Sequence, residues 1–314
     1  LTWKVGAKYR DKQRRARFSD EFYAWNPATG GPVPTLADFP LMDQPGRSGY
    51  DIGNGRDYAR DFSQVVPMQA LAGRSCEQVK PTPAVIVKGM ELAERTSQAL
   101  DASGARVVIL ARAGQDLSKY GLRYSHLGIA YKTDAGPWRV VHKLNQCGTA
   151  VASVYRQGLG EFFLDDLWRY EAAWVVPTPA VQAQLMAALD EPPARIVRMN
   201  IAPYSIVSYA WGQKYQQSNQ WAVETLAAAM EPATIGNRAQ AQAWMQFKGY
   251  EPTTLKLGPL TRLGGRVTSA NVAFDDHPND KRFSDRIETV TVDSVFAWLP
   301  RAGLGAAPVT LKLQ

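Results

Sequence analysis

Tyr124-Ser125-His126-Leu127-Gly128-Ile129-Ala130-Tyr131, followed after a short gap by Trp138-Arg139-Val140-Val141-His142, is the stretch on which the fold turns. Both runs are rich in β-branched and aromatic residues. The intervening Thr133-Asp134-Ala135-Gly136-Pro137 is turn-forming, so the two read as the strands of a hairpin. His126 opens the first strand and His142 closes the second, which brings the two imidazoles within hydrogen-bonding range across the hairpin. The chain has only three histidines, and acid–base chemistry near neutral pH draws on these two, His277 or a perturbed carboxylate.

Upstream, Val85, Val87, Met90, Leu92, Ala93 and Leu100 recur at helical spacing and Gly104 supplies a stop, predicting a helix. Val107 to Leu110 reads as a strand. Downstream, Glu171 to Val176 reads as a buried strand. Thr178-Pro179 then offers an N-cap and first-turn proline for a helix through Leu189, and Asn219 to Met230 is again helical. The tail predicts a short helix near Ala239 to Phe247 and strands around Thr254 to Leu257, Val267 to Phe274 and Ile287 to Val295. No internal repeat or low-complexity tract appears.

At 314 residues and 45% hydrophobic content, the chain suffices for one large domain with appendages. Its longest apolar stretches fall far short of the ~20 residues of a spanning helix, so no transmembrane segment is expected. Residues 1–74 keep no periodicity: a basic run (Lys4, Lys8, Arg10, Lys12, Arg14, Arg15, Arg17) leads into Pro-, Gly- and Asp-rich sequence with aromatics. Such a segment lacks a core of its own and reads as an extended arm, suited to docking on the main domain or on a protein partner. Residues 75–314 form the domain proper, ending in a strand-rich extension. The net charge of +7 suits an anionic envelope component. Without further basic clusters in the core, no nucleic-acid partner is expected.

The chain begins at Leu1 without a charged-then-apolar leader, so a targeting segment was removed or the true start lies upstream. The two cysteines, Cys76 and Cys147, belong to no C-x-x-C pair, which argues against zinc. They are either small buried hydrophobes or the ends of one disulfide formed in an oxidising compartment. The expectation is the disulfide, in a periplasmic or secreted protein. Asp275-Asp276-His277-Pro278 has the chemistry of metal ligands, but its place between two strands and its proline favour a turn, and no metal site is expected.

Ser218 stands immediately before Asn219-Gln220-Trp221-Ala222-Val223-Glu224, at a helix N-terminus that stabilises a nucleophile or oxyanion. Taken alone it is an ordinary N-cap, and only the alignment with His126 and His142 lifts it. A strand-borne S-H-x-G, a polar residue on the next strand and a nucleophile opening a later helix resemble circularly permuted papain-like enzymes. These include the lecithin retinol acyltransferase group and permuted relatives of the NlpC-type cell-wall peptidases. More closely, Arg74-Ser75-Cys76-Glu77, Tyr124 to Gly128, Lys143-Leu144-Asn145-Gln146-Cys147-Gly148, Ser218-Asn219-Gln220-Trp221 and Phe274 to Pro278 resemble the bacterial domain of unknown function 2145 family, from about Ser75 to Leu299.

The resemblance implies an α+β fold, a permuted papain-like domain with an antiparallel sheet and packed helices. It also implies a cleft in which Ser218 is the nucleophile, His126 the base and acid, and His142 the orienter, with Asn219, Trp221 and Tyr124 at the cleft or oxyanion hole. No metal or organic cofactor is required. The implied activity is hydrolysis or acyl transfer on an amide or ester of a peptide, peptidoglycan or lipid. One departure matters: the similar sequences carry cysteine where this chain has Ser218. A natural serine enzyme, an engineered replacement and a catalytically inactive binding or structural subunit, docked to a partner through its arm, all remain open.

Overall fold

A computed structural model of the chain describes residues 81–134, 136–146, 148–165, 167–190 and 195–313. Residues 1–74, expected to form the arm, and both cysteines lie outside the described residues. The first element is the helix α1 (Pro83–Ala102), entered with proline at its first turn and with Val85 N–H donating to the Thr82 hydroxyl. It stops at Gly104, whose φ of 68° is left-handed and cheap only for glycine.

Six strands then build one antiparallel sheet: β1 (Val107–Ala113), β2 (His126–Lys132), β3 (Trp138–Asn145), β4 (Ala152–Gly158), β5 (Arg169–Val175) and β8 (Val309–Lys312), in the order β4-β3-β2-β1-β5-β8. The α+β class with an antiparallel sheet is thus as expected. The hairpin of β2 and β3 pairs Lys132 with Trp138 through to Ile129 with Val141.

Both faces of the sheet are covered. Alternation along each strand sends Val108, Leu110, Ala130, Val140, Ala172 and Trp174 to one side, against α1 and the short helix α2 (Leu159–Phe163). The opposite side carries Val107, Ile109, Leu127, Ile129, Val141 and Val175. Against it pack α3 (Pro179–Asp190), α4 (Ser218–Met230), α5 (Arg238–Phe247) and α8 (Val292–Arg301). Burial on both faces explains why β1 reads as an unbroken apolar run rather than an alternating one. As predicted, α3 is capped by Thr178, whose hydroxyl accepts from Val181 N–H.

A small two-stranded ribbon, β6 (Thr253–Lys256) and β7 (Arg286–Thr289), lies apart from the main sheet, with the helices α6 (Pro259–Thr268) and α7 (Asn279–Phe283) between its strands. Two expected strands are corrected here. Val267 and Thr268 end α6, which Pro259 starts at its first turn, and Val272 to Phe274 is irregular. The run from Ile287 to Val295 is strand only to Thr289. Thr291 then caps α8 through a reciprocal bond with Ser294, and Val292, Val295, Phe296 and Leu299 turn one helical face inward. β-branched residues at a cap and a first turn mimic a strand, and the capping pair is the signal that separates the two. Among the described residues no helix is long and apolar enough to cross a membrane.

Candidate active site

Where β2 and β3 should continue their ladder beyond Ile129 and Val141, they part, and the N-terminus of α4 enters the gap. Leu127 N–H is satisfied by the side-chain oxygen of Asn219 at 2.9 Å instead of by β3. His142 lies on the α2 side of the sheet with Phe162, whereas α4 lies on the other. His126, at the opened end of β2, bridges the two. Its Nδ1 is 3.2 Å from Ser218 Oγ and its Nε2 is 2.8 Å from His142 Nδ1. His142 Nε2 in turn is 2.7 Å from the side-chain oxygen of Gln157 on β4.

With the Gln157 side-chain oxygen turned toward it, His142 carries its hydrogen on Nε2 and accepts at Nδ1. His126 therefore donates from Nε2 and turns the Nδ1 lone pair toward the Ser218 hydroxyl. Four side chains from β2, β3, β4 and α4 form one directed chain ending at a hydroxyl that can give up its proton.

Gly128 makes this approach possible. A Cβ there would overlap Val140 and come within 3.3 Å of His142 Cβ and 3.4 Å of Phe162. The glycine of S-H-x-G is thus a close-packing requirement of the second imidazole. The Phe162 ring then holds both imidazoles at centroid distances of 5.9 and 5.3 Å.

Burial dominates the electrostatics. It lowers the His126 pKa well below 6.5 and that of His142 to about 3, and the nearby Arg112 guanidinium pushes both further down. Both imidazoles are therefore neutral across the physiological range. Arg112 is itself buried, donating to the Phe162 carbonyl and the Asp165 carboxylate, 4.8 Å over the Phe162 ring.

The preceding segment is locked. Lys143, wholly buried on β3, donates to the Ile201 carbonyl at 2.6 Å and to Gln216 at 2.7 Å. Gln216 donates to Glu224 on α4, which Arg238 of α5 also binds through Nε at 2.7 Å. Gln217 supplies no side-chain cap to α4, because its amide donates to Thr289 and to the Val290 carbonyl. Among the described residues no side chain caps the first-turn N–H groups beside Ser218.

Ser218 and His126 open onto a cleft of about 420 Å³, while His142 stays behind them. Its walls are largely apolar, with Tyr120, Leu122, Val207, Leu255, Leu257 and Phe274 prominent. Of the expected cleft residues, Tyr124 lines it, though its hydroxyl is spent on Glu171. Asn219 also lines it, but as the clamp on β2. Trp221 is corrected: fully buried in the core beneath α4, it does not reach the cleft. Asp275 pairs with Lys214, and Asp276 accepts from Tyr209 N–H and contacts His277, so Asp275 to Pro278 is a structural turn. Among the described residues no cluster of metal-ligating side chains occurs.

Two participants escaped the sequence. Gln157 lies on β4, whose alternation is interrupted by Tyr155 and Arg156; the bounding Gly148 and Gly158 were the available signal. Tyr204 comes from an irregular segment. Its buried phenol, with a pKa pushed up to about 12 by burial, neighbours the Ser218 side chain and lines the same cleft, and no pattern marks it.

The fold and site define an α+β domain with a Ser–His–His–Gln chain at a helix N-terminus. The model of the DUF2145 family, described as uncharacterized proteins conserved in bacteria, matches residues 99–299, and the chain belongs to that family. No curated protein and no solved structure matches it.

Proposed function

We propose that this domain is a papain-like hydrolase or acyltransferase of the bacterial envelope, acting on an amide or ester with Ser218 as nucleophile. The observation that supports the reading is the directed chain: the neutral His126 offers Nδ1 to the Ser218 hydroxyl, held in that tautomer by His142 and Gln157. In the reaction Ser218 Oγ bonds to the substrate's acyl carbon as its proton passes to His126 Nδ1. The negative charge on the carbonyl oxygen is met by the first-turn amides of α4 and the Tyr204 hydroxyl. Collapse breaks the bond to the leaving amine or alcohol, which takes the proton from His126. Water, or an acceptor alcohol or amine, then releases the acyl group by the reverse sequence.

A serine needs its proton removed during the step, and a neutral imidazole is the form that accepts one, while the burial that keeps His126 neutral also weakens it as a base. Glutamine in place of a carboxylate behind the second histidine stabilises the imidazolium less, so turnover is expected to be slow. Serine at the position where the resemblance expects cysteine favours a second reading, a binding subunit that retains the cleft without the chemistry. Treatment of the native protein with a fluorophosphonate separates the two. The enzyme reading expects a covalent adduct on Ser218 that is lost in Ser218→Ala and slowed at least tenfold in His126→Gln. Absence of any adduct at Ser218 removes the enzyme reading in favour of the binding one.

A further inference from the structure

The helix α6 wears its amphipathicity inside out. None of its ten residues is buried, and Leu260, Leu263 and Val267 are 84%, 60% and 77% exposed. At about 100° per residue these three fall within a single arc of roughly 60°. Thr261 and Gly265, which line the cleft, lie roughly 150° around from that arc. The helix thus turns a polar, small-residue side to the cleft and an aliphatic stripe outward. The neighbouring α7, which carries the 70% exposed Phe283, is tied to α6 by Arg262, which binds the Asp285 carboxylate at 2.5 Å, and Leu257 N–H donates to the Asp285 carbonyl.

The surrounding charge is basic. Lys256 and Arg286, both exposed, stand directly opposite each other across the β6–β7 ribbon, with Arg286 3.7 Å from a Glu288 carboxylate oxygen. Arg266 is exposed in the last turn of α6, and Arg282 stacks on Phe283 with its guanidinium 4.8 Å from the ring. An exposed aliphatic stripe with Arg266 on the same helix and Lys256 nearby is the pattern of a helix that lies in the headgroup region of an anionic bilayer. A second copy of the chain fits less well, since two such faces would bring Lys256, Arg266 and Arg286 against their own kind.

We infer that the aliphatic stripe of α6 docks the domain on an anionic membrane surface, with α6 standing between the bilayer and the cleft. The inference goes beyond the proposed chemistry and stands or falls independently of it. The test is co-sedimentation of the full chain with vesicles of pure phosphatidylcholine and of phosphatidylcholine with 30% phosphatidylglycerol, alongside light scattering to read the oligomeric state. The expected result is binding to the anionic vesicles alone, weakened by salt, at least tenfold weaker in Leu263→Asp and several-fold weaker in Arg266→Glu. Leu263 is exposed, so its replacement leaves the fold intact, and circular dichroism checks this. Failure to bind anionic vesicles overturns the inference. So does binding indifferent to Leu263→Asp, which would place the contact elsewhere in the chain, including residues 1–80. A dimer that Leu263→Asp dissolves would assign the stripe to self-association instead.

Discussion

Replacing His142 with glutamine removes one buried imidazole, and the stability it changes can be worked out in advance. An unfolded histidine titrates near 6.5 and His142 in the fold near 3, because burial and Arg112 disfavour its cation. A depressed folded pKa means that the unfolded chain binds the extra proton first. The stability associated with the neutral ring is therefore present above pH 6.5 and is lost as pH falls from 6.5 toward 3. At 1.36 kcal/mol per unit, lowering the pH from 7.5 to 5.0 costs about 2 kcal/mol through this residue alone. Urea unfolding at the two pH values, with equal slopes required of both proteins, gives the comparison. The wild type should lose about 2 kcal/mol more than His142→Gln between pH 7.5 and pH 5.0. Equal losses would refute the picture of a neutral, desolvated imidazole behind His126.

Gly128→Ala should destabilise the fold by about 1–3 kcal/mol, since the added methyl meets Val140, His142 and Phe162 together, and fluorophosphonate reactivity at Ser218 should fall with it. Wild-type thermal stability in that variant would show that the glycine is not a packing requirement. Glu224→Ala leaves Arg238 buried without its carboxylate and should cost about 3–5 kcal/mol in a denaturant titration, with a loss under about 1 kcal/mol contradicting the role given to that pair. Intact mass with and without reductant should show Cys76 and Cys147 bridged, the outcome that goes with the proposed envelope location. Two free thiols in the native protein would end that expectation.

The hairpin, the histidine pair and the helix opening at Ser218 were legible because each rests on local signals: alternation, a Gly-Pro turn and apolar residues at helical spacing. Their convergence was legible only through the family resemblance. No local rule says that β2 and β3 part after Ile129, or that Asn219 fills the gap. Gln157 and Tyr204 were missed for the same reason, since each owes its place to tertiary contact rather than to periodicity. Trp221 was placed at the cleft only through the Ser218-Asn219-Gln220-Trp221 motif of the resemblance, whereas it is fully buried in the core between α4 and the sheet. β8 went unread since Val309 to Lys312 is short and borders the chain end, although its pairing with β5 is regular. In the tail, Val267 and Val292 look like strand residues and serve in helices, because proline and the Thr291–Ser294 cap outweigh β-branching there.

The central claim is that His126 stands ready to take a proton from the side chain at position 218, and Ser218→Cys tests it with a faster reporter. Alkylation of that thiol by iodoacetamide at neutral pH, followed by mass spectrometry, should proceed at least tenfold faster than alkylation of free cysteine. It should fall back to the free rate when His126→Gln is added. A thiol at position 218 that reacts no faster than free cysteine, or whose rate ignores His126, would contradict the account.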